Sequence, residues 1–148
     1  MTLSYLAHIL GFTLWLGGGI AAMLIGIRGR TEERATQAVI VRMLHGIHRT
    51  LMLPGIILTI LSGFHLSVPA ARQASPSSWL MAMQLFGVIA ALLVLFVSLP
   101  ALGRLTRMSP TGDSAPLFDA LRKRQSMAGM IAGNLGLIAL LAGVLHKY

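Results

Sequence analysis

The sequence predicts an all-α integral membrane protein, an antiparallel four-helix transmembrane bundle with short amphipathic helical extensions. Three observations carry that prediction. Of 148 residues, 55% are apolar and 11% charged, whereas a soluble domain carries about 25% charge. Mean hydropathy is +0.78. Residues 1–27, 50–71, 73–103 and 125–146 contain no Asp, Glu, Lys or Arg, and each stretch meets the roughly 20 residues that a helix needs to cross a bilayer core.

The chain reads as a single four-span domain over 1–148, with spans at about 3–27, 50–68, 79–103 and 125–146. Span one lacks a basic start, and its apolar stretch is too long for a signal-peptide core, so it is expected to stay as a membrane helix. Ile40, Leu44, Ile47 and Leu51 fall on one helical stripe, while Arg42, His45 and Arg49 fall on another. This pattern predicts an interfacial helical lead-in to span two. Pro54 lies inside that span, where a membrane helix tolerates a kink. The stretch 69–78, with Pro69, Pro76 and several serines, reads as a short loop. Trp79 opens span three at interface depth. Pro110 and Gly112 mark a loop, residues 116–126 a second amphipathic lead-in, and Tyr148 an interface anchor.

The placement of charge sets the expected topology. Arg28, Arg30, Arg34, Arg42 and Arg49 lie between spans one and two, and Arg104, Arg107, Arg122, Lys123 and Arg124 between spans three and four. Only Arg72 and Lys147 fall on the other side. The positive-inside rule then places the long connections in the cytoplasm and both termini outside, as for a multi-pass protein of the bacterial inner membrane. A basic excess arranged in this way suits anionic headgroups, not nucleic acid. With no cysteine, disulfides, thiolate metal sites and cysteine nucleophiles are excluded. The four acids, Glu32, Glu33, Asp113 and Asp119, all fall in connections, which excludes paired-carboxylate catalysis.

Small residues mark the packing faces, because helices in lipid associate by close approach. Gly11, Gly18, Ala22 and Gly26 share a face of span one, and Gly87, Ala91 and Ser98 a face of span three. In span four, Gly129-x-x-x-Gly133, Gly136 and Gly143 read as helix contacts; they also permit a homodimer. His8 shares the face of Gly11, Trp15 and Gly18. His8, His65, His146 and Gln84 are expected to converge at the outer end. An ionisable residue in the membrane is a functional-site hypothesis, and neutral imidazole ligates haem iron or copper. With Met81 and Met83, His8 would also suit Cu(I). A second group, His45, His48 and Arg49 with Arg42, lies near the inner side, where arginines could pair porphyrin propionates.

Span one contains His8-x6-Trp15-x-Gly17-Gly18, and span two contains Arg49-Thr-Leu-Met52-Leu-Pro54 followed by Thr59 and Gly63. Together with Trp79, these residues resemble the small four-span group that includes the HemJ-type protoporphyrinogen oxidases and the copper-resistance-D-like membrane domains. The resemblance implies a bundle that binds haem b, with His8 an essential axial ligand and Arg49 at the mouth of span two. HemJ-type enzymes carry a lysine shortly after the span-three tryptophan. Here that neighbourhood reads Met83-Gln84, which points to a haem-binding relative with a different task.

The resulting expectation is a small membrane cytochrome in redox or electron transfer. Its cofactor-binding candidates are His8, Trp15, His45, His48, Arg49, His65 and Gln84, and its metal candidates His8, His48, His65 and His146. The expected partners are the lipid bilayer and a quinone or other membrane redox partner. The alternatives are a protoporphyrinogen oxidase-like enzyme, a copper-binding or copper-transporting protein, and a cofactor-free accessory subunit.

Overall fold

The computed structural model describes residues 2–71 and 77–145. His146, Lys147, Tyr148, Arg72 and Pro76 lie outside the described residues. The described residues fold into four long helical rods, each apolar and long enough to cross a membrane. The first is α1 (Thr2–Arg28). The second is α2 (Arg34–Ile47), a π-helical turn (His48–Met52) and α3 (Leu53–Ala71). The third is α4 (Ser78–Leu93), a second π turn (Val94–Ser98) and α5 (Leu99–Leu105), and the fourth is α6 (Ala115–Leu145). Both amphipathic lead-ins are therefore continuous with their spans. The second rod runs over 36 residues, about 54 Å at 1.5 Å per residue, so it projects beyond a hydrocarbon core of about 30 Å.

The two π turns have one physical cause. Proline has no N–H, and its ring clashes with the carbonyl four residues before it. Pro54 and Pro100 each follow a π turn by two positions. Leu53 N–H bonds back to His48 and Leu99 N–H to Val94, five residues back rather than four. The widened turn lets the rod continue past its proline, and such turns occur often at functional sites.

Packing follows from small residues and backbone contact. α1 lies along α3, and α4 along α6, while α1 and α6 touch more sparsely. A Cβ on Gly55 would stand 2.7 Å from the Gly11 carbonyl oxygen and the Trp15 nitrogen, and one on Gly11 2.8 Å from the Thr59 nitrogen. The α1–α3 joint is thus backbone against backbone. On α6 the buried small residues are mainly Ala128, Ala132, Ala139 and Ala142. Gly143 takes the Met83 sulfur, 2.9 Å from where its Cβ would be. Gly133 and Gly136, expected as helix contacts, have no atom within 4 Å of a built Cβ; they line open space, because the alanine stripe already provides the packed face.

Two apolar clusters join the rods. Trp15, Met52, Ile56, Ala90, Val94 and Ala132 form one at mid-height. Ala22, Val41, Leu44, Leu102, Leu105 and Phe118 form the other, toward the end that carries the basic connections. At that end Arg34 makes a bidentate ion pair with Asp119, at 2.6 and 2.9 Å. Gly112 takes a left-handed φ of +71° in the turn that enters α6, a conformation that glycine adopts without steric penalty.

Candidate functional site

The deepest polar group is built on both π turns. His48 is 3% exposed and Ser98 0%. His48 Nδ1 lies 2.9 Å from the Leu44 carbonyl oxygen. A carbonyl only accepts, so this pattern assigns the proton to Nδ1 and leaves a lone pair on Nε2. Ser98 Oγ lies 3.2 Å from Nε2 and donates to it. The same oxygen accepts from Gln125 Nε2 at 3.3 Å. The order Gln125, Ser98, His48, Leu44 therefore forms one directed chain of hydrogen bonds across three rods. Without it each buried polar group would carry a desolvation penalty of roughly 1–3 kcal/mol.

Beside this chain, a cavity of about 340 Å³ separates α1 from α6. Its walls are mainly apolar and rich in glycine, with Gly19, Gly26, Gly129, Gly133 and Gly136 among the lining residues. Phe12 and Ile27 both line it, and their 15 positions on α1 correspond to about 22 Å. The space is therefore a long cleft and not a spherical void. His48 and Gln125 face its middle, and Trp15 its far part. Phe12 stands edge-on to Trp15, with ring centroids 6.1 Å apart.

The basic end of the cleft is polar. Arg30, Gln37, Arg122 and Ser126 line it. Arg30 donates to Ser126 Oγ at 2.9 Å, bridging from the end of α1 to α6. Gln37 is 7% exposed. Its Nε2 donates to the Glu32 carbonyl at 2.7 Å, which fixes the orientation of the amide. Its Oε1 is buried and accepts no hydrogen bond. Among the described residues, the ion pair is Arg34–Asp119, outside the cleft lining.

The other candidates disperse. His8 Nδ1 donates to the Thr59 carbonyl at 3.0 Å, with Ser62 Oγ at 3.2 Å. Its ring lies where a Cβ on Gly63 would come within 3.0 Å. His8 faces the bundle, as its stripe predicts, and there it joins α1 to α3. Gln84 donates to Ser67 Oγ at 2.6 Å, and His65 is exposed. His45 is half-buried, near Gly103 of α5, and Arg49 is exposed. Of the expected residues, His48 and Trp15 share the cleft. Among the described residues, no group of three or more His, Cys, Asp or Glu stands close enough to hold a metal ion.

Sequence reasoning passed over Ser98, Gln125, Gln37, Arg30 and Arg122 as site residues. Ser98 and Gln125 had a visible signal, as polar side chains within charge-free stretches. Gln37 had none, because its burial depends on how α2 folds against the end of α1.

A family model described as "Predicted integral membrane protein (DUF2269)" matches residues 2–144. No curated protein and no solved structure matches the chain.

Proposed function

For this chain, which belongs to the DUF2269 family of predicted integral membrane proteins, we propose a function in binding a long amphiphile within the bilayer. The observation that carries this reading is the cleft itself. It is apolar over most of its length, yet Arg30 and Arg122 stand at one end and the His48–Ser98–Gln125 chain halfway along. A ligand matching that pattern has an acidic or strongly polar head and an extended apolar body. Ligand sites combine mostly apolar walls with a few convergent polar groups in this way. The positive-inside rule places the basic end at the cytoplasmic face of a bacterial inner membrane, with both termini opposite.

A haem b is the second reading, favoured by one observation. His48 is held by its Nδ1–H on a backbone carbonyl, the arrangement that orients a metal-ligating imidazole. Nε2 would coordinate iron once the Ser98 hydroxyl turned aside, and Arg30 and Arg122 would pair the propionates. A bound haem would supply one-electron chemistry. On this reading His48, rather than His8, would hold the iron.

The full chain purified in mild detergent tests both readings. Organic extraction and mass spectrometry should recover an amphiphile in stoichiometric amount, and Gly133→Leu, which fills the cleft, should displace it. Equal recovery from wild type and Gly133→Leu would overturn the binding reading. A Soret band removed by His48→Ala would favour haem, and a preparation without iron or visible absorbance would exclude it.

A further inference from the structure

The polar end of the cleft specifies a headgroup more closely than charge alone. Arg30 and Arg122 offer donors and positive charge, which suits phosphate oxygens. Gln37 offers the opposite. Its amide nitrogen is committed to Glu32, so the group left for a ligand is the unpartnered acceptor Oε1, which is covered until the side chain shifts toward the cleft that Gln37 lines. The place of Gln37 beside α1 is fixed by a tight contact one turn on: a Cβ on Gly29 would stand 2.7 Å from Ile40 Cδ1. A buried acceptor without a donor is unfavourable by about 1–3 kcal/mol, and a ligand that supplies the donor recovers that energy. A fully deprotonated anion such as sulfate offers acceptors only and would face Oε1 with repulsion.

We propose that the cleft binds a phospholipid whose phosphodiester sits at Arg30 and Arg122 and whose headgroup presents an N–H or O–H donor to Gln37 Oε1. A phosphoethanolamine headgroup has this chemistry. A phosphocholine headgroup has the same phosphate but only methyl groups on its nitrogen. The acyl chain follows the glycine-walled cleft past Gln125 toward Trp15. The inference rests on the amphiphile reading above and names the ligand class of that site.

The test compares chain-matched phosphatidylethanolamine and phosphatidylcholine in mixed micelles with the full chain, with bound lipid counted by native mass spectrometry. Wild type should retain phosphatidylethanolamine several-fold more strongly. Gln37→Leu should abolish the preference while still binding both lipids, and Arg30→Gln with Arg122→Gln should weaken both. Should Gln37→Leu fail to fold, the near-isosteric Gln37→Met, which also lacks the acceptor, should abolish the preference in its place. Glycerophosphoethanolamine, which lacks acyl chains, and inorganic phosphate should not displace the lipid at millimolar concentration. Equal retention of the two lipids by wild type, or a preference that survives Gln37→Leu, would overturn the headgroup assignment alone. Displacement by either soluble compound would assign the site to a free phosphate compound. Lipid binding unchanged by Gly133→Leu would overturn the amphiphile reading itself.

Discussion

Ser98 Oγ lies 3.2 Å from His48 Nε2, and each residue belongs to a π turn that ends two positions before a proline. The two turns sit on different rods and meet through this one hydrogen bond. A device that lets each helix pass its proline thus also sets the buried polar contact between them. Because Ser98 donates to one partner and accepts from another, it is the joint of the chain. A two-partner hydroxyl with no exposure is more sensitive to deletion than either end.

Ser98→Ala should therefore destabilise more than Gln125→Leu. The alanine leaves the His48 lone pair and the Gln125 amide without their partner, for a loss of about 1–3 kcal/mol. Gln125→Leu removes the outer donor and leaves the Ser98–His48 bond in place. Reversible unfolding of the full chain in bicelles, monitored by far-UV circular dichroism, should rank wild type, Gln125→Leu and Ser98→Ala in falling order. The reverse order of the two variants would show that Ser98 is not the joint.

The glycines divide into two classes. At Gly55 a Cβ would meet the Gly11 carbonyl oxygen and the Trp15 nitrogen, both at 2.7 Å and both backbone atoms. Backbone cannot turn aside as a side chain can, so Gly55→Ala must separate α1 from α3. Overpacking of this kind is destabilising by typically about 1–3 kcal/mol. At Gly133 nothing stands within 4 Å, and Gly133→Ala should unfold within about 0.5 kcal/mol of wild type. Thermal melting of the two variants in the same detergent checks the contrast, and equal melting temperatures would refute the backbone joint.

The spans were legible because an apolar stretch of bilayer length without a single charge is rare outside a membrane. The stripe of His8, Gly11, Trp15 and Gly18 was legible too, since α1 is regular from end to end. The faces of the second rod were not. A turn bonded i to i+5 inserts an extra residue, which rotates everything beyond it by roughly 100° relative to an unbroken helix. The sequence groups His48 with Arg49 because they share a depth near the inner side, whereas adjacent residues face different ways, and the folded rod buries His48 and exposes Arg49. On α6 the difficulty is different. Its alanine and glycine stripes are equally small, and the choice of the alanines for packing depends on the opposing shape of α4.

The Arg34–Asp119 pair joins the start of α2 to the start of α6, with side chains 44% and 47% exposed. Its bidentate geometry suggests strength, but exposed pairs contribute only about 0–1 kcal/mol. Arg34→Ala should leave the unfolding midpoint nearly unchanged, with the small effect shrinking further in about 0.5 M salt. A loss beyond about 2 kcal/mol would mean that the pair is shielded from solvent far more than its exposure indicates.

His8 and Gly63 form a matched pair, and a double-mutant cycle isolates it. A Cβ on Gly63 would stand 3.0 Å from His8 Cε1 and 3.2 Å from Nδ1. Gly63→Ala should therefore press the imidazole away from the Thr59 carbonyl and weaken the α1–α3 joint. His8→Ala loses the same hydrogen bond but clears the space, so adding Gly63→Ala to it should do little more harm. Residues in contact couple by roughly 0.5–3 kcal/mol, and here the double variant should be more stable than the two single losses summed. The experiment also separates a structural His8 from a ligating one. If His8 serves only the joint, Gly63→Ala and His8→Ala reduce stability together and leave any bound chromophore in place. If His8 ligates a cofactor, His8→Ala removes the visible spectrum under conditions in which the chain remains folded.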